Sequence, residues 1–177
     1  KDNLAMHYGF WSKTTKNHSD ALINMNRVLA RIAKIKRNDT VLDAGCGIGG
    51  SSIWLAKNIG AKITGITLSS KQVSTARKFA KAKNVDKLTD FHAVDFTKTR
   101  FRTNSFDVIW AIESVCHASN KKDFIQEAYR ILKKGGRLVM ADGFRCKECL
   151  SEDEQKKFNK WLKGWAVPNL SSPDEFK

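Results

Sequence analysis

Val41-Leu42-Asp43-Ala44-Gly45-Cys46-Gly47-Ile48-Gly49-Gly50 is an apolar run closed by one acid and then by glycines at 45, 47, 49 and 50. A short apolar run bounded by glycine is consistent with a buried strand, and the glycines behind it make a loop where a ligand can lie against bare backbone. The helix predicted just after it, from about Ser51 to Lys57, aims a partly positive N-terminus at whatever the loop holds. Gly45, Gly47 and Gly50 also satisfy the dinucleotide pattern G-x-G-x-x-G, so the glycines alone leave the ligand open.

Outward from this loop the pattern alternates. Ser19-Asp20 is expected to cap a first helix whose apolar positions Leu22, Ile23, Met25, Val28, Leu29, Ile32 and Ala33 recur at helical spacing. Strands are predicted over 40–44, 62–67, 89–94, 106–112 and 137–142, with helices over 50–58, 70–83 and 121–133. Strand and helix in alternation imply right-handed crossovers and a parallel sheet covered on both faces, an α/β doubly wound fold. Ligands of such sheets sit beyond the carboxyl ends of the strands, near the switch point. That rule selects Asp43 to Gly49, Thr67-Leu68-Ser69, Asp95-Phe96 and Ala111-Ile112-Glu113.

At 177 residues and 41% hydrophobic, the chain suits one domain with a substantial core. It contains no run of about 18 apolar residues and opens with no targeting leader, which predicts a cytoplasmic protein. The absent initiator Met and the closing Ser171-Ser172-Pro173-Asp174-Glu175-Phe176-Lys177 lead us to expect ends that were cut. The net charge of +14 suits nucleic acid or an anionic surface. Its lysines and arginines, however, are spread through helices and gather near their C-termini, where they complement the dipole. No aromatic and basic interleaving of the kind that stacks single-stranded bases is present. We expect no specific nucleic-acid partner and at most peripheral contact with anionic surfaces. Cys146 and Cys149 form one C-x-x-C without a second pair, so neither a metal site nor a disulfide framework is expected.

A nicotinamide dinucleotide enzyme carries an acid about 20 residues past the first glycine. Thr67 stands there instead, although Ser69, Ser70 and Lys71 could hold a 2′-phosphate and keep an NADP reading open. Asp43 and the pair Asp95-Phe96 pull the other way. A carboxylate accepts from an exocyclic amine, and an aromatic ring covers a base.

Four motifs in order, the glycine loop, Val94-Asp95-Phe96, Ser105-Phe106-Asp107-Val108-Ile109-Trp110 and Ile131-Leu132-Lys133-Lys134-Gly135-Gly136-Arg137-Leu138, resemble the class I S-adenosylmethionine-dependent methyltransferases. Gly65-Ile66-Thr67-Leu68-Ser69-Ser70-Lys71-Gln72 is similar to the tocopherol methyltransferases. Ala111-Ile112-Glu113-Ser114-Val115-Cys116-His117-Ala118 is similar to the sterol C-methyltransferase signature. His7-Tyr8-Gly9-Phe10-Trp11 resembles the aromatic segment that closes over the cofactor in this group.

The resemblance implies S-adenosyl-L-methionine as cofactor, S-adenosyl-L-homocysteine as product, and a mostly parallel Rossmann-like sheet. The family's antiparallel sixth and seventh strands lie beyond the end of this chain. It implies an N-terminal closing segment over 1–37, a cofactor-binding core over 38–145 and part of an acceptor lid over 146–177, with Phe158, Trp161, Leu162 and Trp165 either shaping the acceptor pocket or packing as core. The implied cofactor set is Tyr8, Asp43, Ala44, Gly45, Cys46, Gly47, Gly49, Thr67, Leu68, Ser69, Gln72, Asp95, Phe96, Ala111 and Ile112. Thr67 and Gln72 would meet the ribose hydroxyls, where most relatives carry an acid. Asp43 could instead cap its own loop.

Methyl transfer needs mainly alignment and exclusion of water. Glu113 and His117, spaced i and i+4, would share one side of a helix and are the candidates for handling an acceptor proton or cationic character. Alternatively, Glu113 binds the ammonium of the methionine moiety and His117 is a polar residue at the pocket edge. The expected acceptor is a small, apolar or lipid-like molecule, with an RNA or protein substrate and an NADP-binding reductase as alternatives.

Overall fold

The computed structural model describes residues 4–146 and 149–176. Strands β1 (Thr40–Ala44), β2 (Lys62–Thr67), β3 (Thr89–Ala93), β4 (Phe106–Ile112) and β5 (Leu132–Ala141) make one sheet in the order β3-β2-β1-β4-β5. Every neighbouring pair is parallel. The helices are α1 (His18–Ile32), α2 (Gly50–Ile59), α3 (Ser70–Ala82), α4 (Lys121–Ile131) and α5 (Glu152–Gly164). The expected doubly wound α/β fold is therefore observed.

Burial on both faces explains the near-continuous apolar strands. Along β1, Val41 joins the core beneath α1, α2 and α3, where Leu29, Ile53, Leu55, Val73 and Phe91 pack. Leu42 and Ala44 point to the opposite face and meet Phe124, Ala128 and Ile131 of α4 with Ile66 and Ile109. Each such aliphatic side chain contributes about 1.5–3 kcal/mol by leaving water. The sheet order turns back between β1 and β4, where Asp43 stands beside Trp110, and this seam is where a crevice forms.

Two boundaries differ by more than one residue from the sequence reading. The cap of α1 is Asn17, whose Oδ1 accepts from the Asp20 N–H at 3.0 Å, so Ser19-Asp20 lie inside the first turn. Ile32, although in phase, is exposed. At the other end, α4 stops at Ile131 and β5 begins at Leu132, not at 137. The glycines absorb the difference. Gly135 takes φ +75°, and the pairing steps from Phe106 opposite Leu132 to Val108 opposite Arg137, so residues 133–136 bulge within one strand.

A polar clamp closes the amino end of the seam. The Asp107 carboxylate accepts from the Thr40 N–H at 2.9 Å, the Thr40 hydroxyl at 2.7 Å and the Lys133 ammonium at 2.8 Å. Burial pushes this carboxyl upward, and the Lys133 and Thr40 donors outweigh it, leaving the pKa at about 2. Among the described residues no helix is long and apolar enough to cross a membrane. No group of three or more potential ligands among them could hold a metal, and all four cysteines are free.

Candidate active site

At the carboxyl end of the β1–β4 seam lies a cleft of about 670 Å³. The Gly45 and Cys46 N–H groups both donate to the Ile66 carbonyl at 2.9 Å, tying the loop to β2. Gly45 sits at φ +97°, and a Cβ there would collide with Ser114, whose hydroxyl donates to the Ala44 carbonyl at 2.6 Å. Gly47, at φ +53°, borders the cleft with no protein atom near the place its Cβ would occupy. The loop is closely packed behind and bare in front.

Asp43 is buried beneath this loop, and its Oδ2 accepts from the Ser52 hydroxyl at 2.5 Å. Burial raises its pKa to about 6, with the Ser52 hydrogen bonds opposing the rise. Cys46 is also pushed up, first by burial and then by the Asp43 charge. On the next strand, the Thr67 hydroxyl donates to Gln72 Oε1 at 2.5 Å, and both side chains border the cleft. Leu68 and Ile112 border it as well.

Other members of the expected set stand elsewhere. Ser69 caps α3 by accepting from the Gln72 N–H at 3.3 Å and does not line the cleft. Ala44 and Ala111 are buried strand residues whose side chains pack beneath α4. Gly49 faces away from the cleft, since a Cβ there would lie 3.1 Å from the Phe91 ring and from Ala76. Asp95 is exposed, and its Oδ1 accepts from the Thr97 N–H and hydroxyl at 2.8 and 2.7 Å, which closes a turn. Its neighbours Val94 and Phe96 border the cleft, Phe96 held edge-on against Phe124 with centroids 5.3 Å apart.

Glu113 and His117 both border the cleft, but the segment joining them is not an α-helix. Glu113 takes φ +47° as the chain leaves β4, and only Val115–His117 make a single 3-10 turn. Glu113 Oε1 accepts from the Tyr8 N–H at 2.7 Å, pinning the N-terminal segment over the cleft. Its carboxyl is raised by burial, opposed by the Tyr8 N–H and by His7, with Asp142 adding to the rise. His117 Nδ1 lies 3.3 Å from the Ala166 carbonyl, to which it can only donate. The two side chains are thus held by different partners, and their i, i+4 spacing does not make them one unit.

Sequence reasoning missed Asp142 and the strap residues Leu4 to Met6. Asp142 follows β5, so the same carboxyl-end rule could have found it. Its Oδ2 accepts from the Ser114 and Cys116 N–H groups, both at 3.1 Å. Together with burial, which is the larger cause, it drives the Cys116 thiol up to about 12. Leu4, Ala5, Met6 and His7 border the cleft beside Tyr8. On the far rim, Trp161 and Trp165 lie 6.3 Å apart and largely exposed, so they are rim and not core.

Comparisons with known proteins agree with this geometry. A family model described as a methyltransferase domain matches residues 42–140. The chain is 31% identical over 188 residues to a chloroplastic tocopherol O-methyltransferase of Arabidopsis thaliana, covering 97% of this chain and 54% of that protein. It is 40% identical over 108 residues to a sterol 24-C-methyltransferase of Saccharomyces cerevisiae, covering 61% and 28%. The chain therefore spans about half or less of the length of these relatives. Among solved structures, a geranyl diphosphate C-methyltransferase from Streptomyces coelicolor A3(2), bound to S-adenosyl-L-homocysteine, superposes with a TM-score of 0.84 at 22% identity over 97% of this chain and 66% of its own. The [4+2]-cyclase SpnF superposes with a TM-score of 0.78 at 28% identity over 82% and 54%. With the family model covering the strands that build the cleft, from β1 through β5, the chain belongs to the methyltransferase-domain family.

Proposed function

We propose that the chain binds S-adenosyl-L-methionine at the glycine loop and transfers its methyl group to a small, apolar or lipid-like acceptor. The observation that carries this is the one cleft that joins the bare face of Gly47 to an apolar rim of Met6, Leu68, Trp161 and Trp165. The residues fit such a cofactor. The space before Gly47 is open, Thr67 and Gln72 offer polar atoms to ribose hydroxyls, and Phe96 offers a ring to a base. His7 adds a buried polar atom: Nδ1 donates to the Tyr8 carbonyl at 2.8 Å, and the buried Nε2 has no hydrogen-bond partner.

When bound, the cofactor supplies a methyl group already activated on a sulfonium. The protein aligns the acceptor and keeps water out, which can be worth several kcal/mol. In our reading Gly45, Cys46 and Gly47 let the methionine part approach the backbone, and Tyr8 covers the site from the strap. Asp95 stands outside the cleft with Oδ1 taken by Thr97, so an adenine amine would have to reach out to its other oxygen. Glu113 and His117 face the acceptor end and handle a proton there if the acceptor must lose one. The relatives named for tocopherol and sterol support an apolar acceptor. The NADP reading loses Ser69, which is occupied as the α3 cap.

Isothermal titration with S-adenosyl-L-homocysteine and with NADPH tests this. We expect binding of the first alone, and its loss in Gly47→Val, where the new side chain fills the ligand's space. The likeness to a cyclase favours a second reading, cofactor binding without methyl transfer, which a labelled-methyl assay with tocopherol- and sterol-like acceptors separates.

A further inference from the structure

Five large apolar side chains that border the cleft stand out from it into solvent: Met6, Tyr8, Leu68, Trp161 and Trp165. They are 74%, 65%, 76%, 44% and 56% exposed. Phe10 and Trp11, also exposed, continue the N-terminal side of this ring. Helix α5, which carries Trp161, has no buried residue at all. An exposed apolar patch of this kind at the mouth of a site marks a surface that meets something.

The charges on the same segments say what it meets. Residues 4–17 hold Lys13 and Lys16 and no acid; in α5 the acids Glu152, Asp153 and Glu154 are confined to the first turn, and the part that carries the tryptophans, residues 156–165, holds Lys156, Lys157, Lys160 and Lys163 and no acid. Lys71 stands three residues after Leu68. All seven are exposed. Protein interfaces are depleted of lysine at their centre, and a second copy of this chain would set these seven ammonium groups against seven more. Aromatic side chains with an apolar body and a polar edge, flanked by lysines, are what the interfacial zone of an anionic bilayer accepts.

We propose that the mouth of the cleft docks on a lipid bilayer carrying anionic headgroups, with Trp161, Trp165 and Tyr8 seated at the headgroup level and the lysines around them meeting phosphate. The proposal rests on the reading that the cleft takes an apolar acceptor. An acceptor dissolved in the bilayer then enters without crossing water. The net charge acquires a role that needs no nucleic acid.

Vesicle flotation of the full chain tests it, comparing phosphatidylcholine alone with phosphatidylcholine containing phosphatidylglycerol. We expect at least about tenfold tighter binding to the anionic vesicles, weakened by salt. Acyl-chain-brominated lipid should quench the tryptophan emission of the wild type and quench that of W161A/W165A, which keeps Trp11, much less. K156Q/K160Q/K163Q should lose most of the vesicle binding and still bind S-adenosyl-L-homocysteine, showing that it folds. Equal binding to neutral and anionic vesicles would overturn the proposal. So would failure to bind either while S-adenosyl-L-homocysteine still binds, or self-association that shields the two indoles from aqueous iodide. Loss of S-adenosyl-L-homocysteine binding by the wild type would instead overturn the cofactor reading.

Discussion

In the folded chain the Asp43 carboxyl holds its proton to about pH 6, against 3.8 for the ordinary group. Below about pH 3.8 it is protonated whether the chain is folded or not, and its burial carries no ionic penalty. As pH rises the unfolded chain ionises first, so the penalty grows until pH passes about 6 and is then complete. Two pK units correspond to about 3 kcal/mol. Asp43→Asn, which keeps an acceptor for Ser52, should therefore raise the unfolding temperature of the ligand-free chain at pH 8, with the gain vanishing toward pH 4. An equal shift at both would show that packing and not charge governs the position. A second carboxylate behaves oppositely. Asp107, held at about 2 by Lys133 and Thr40, adds stability above about pH 3.8 that disappears as pH falls through 2. Asp107→Asn should cost about 1–2 kcal/mol at pH 7 by urea melting and almost nothing near pH 2.

At the scale of elements, the strap over residues 4–11 is tied down over the cleft by Glu113 Oε1 at Tyr8, and behind it at Phe10 by the Ala21 carbonyl and the Asn24 side chain. Glu113→Ala should speed proteolysis within the strap and raise the S-adenosyl-L-homocysteine Kd about 5- to 30-fold, the worth of roughly 1–2 kcal/mol. Glu113→Gln retains an acceptor oxygen and should restore both. A saturated single-turnover rate that falls in Glu113→Gln while affinity holds would instead assign the carboxylate to the acceptor. Because Glu113 is held by Tyr8 and His117 by Ala166, the losses in a Glu113→Ala/His117→Ala double variant should add. A strongly non-additive rate would reinstate the pair as one unit. These contacts were not legible beforehand. The strands around the glycine loop were, because burial on both faces leaves runs at 41–44 and 106–112 that are apolar but for one aspartate each, Asp43 and Asp107. Four of the five carboxyl ends could likewise be named from the pattern. Hidden from it were the positive φ that turns Glu113 toward Tyr8 and the diversion of Asp95 to Thr97, since both are settled by long-range or turn contacts that leave no periodic trace. Gly135-Gly136 read as the turn before a strand and proved to be a bulge inside one.

For the molecule as a whole, +14 spread over exposed lysines predicts RNA binding that is unspecific and falls steeply between low and physiological salt, as counterion release requires. Filter binding across a salt series checks it, and one salt-resistant RNA that also gains methyl groups would reopen the RNA-substrate alternative. The sheet order carries a different consequence, in time. By Ala93 the chain already holds every partner that β1, β2 and β3 need from one another. The other edge of β1 waits, because the contact of Thr40 with Asp107 spans 67 residues. During synthesis from the N-terminus β1 therefore emerges with one side unpaired, the stage at which such a chain is most open to wrong partners. The glycine loop exists at that stage but the cleft does not, since β4 brings its other wall. Any ligand that needs both walls thus binds only chains in which this late closure has succeeded, and its presence during synthesis favours the correctly closed product.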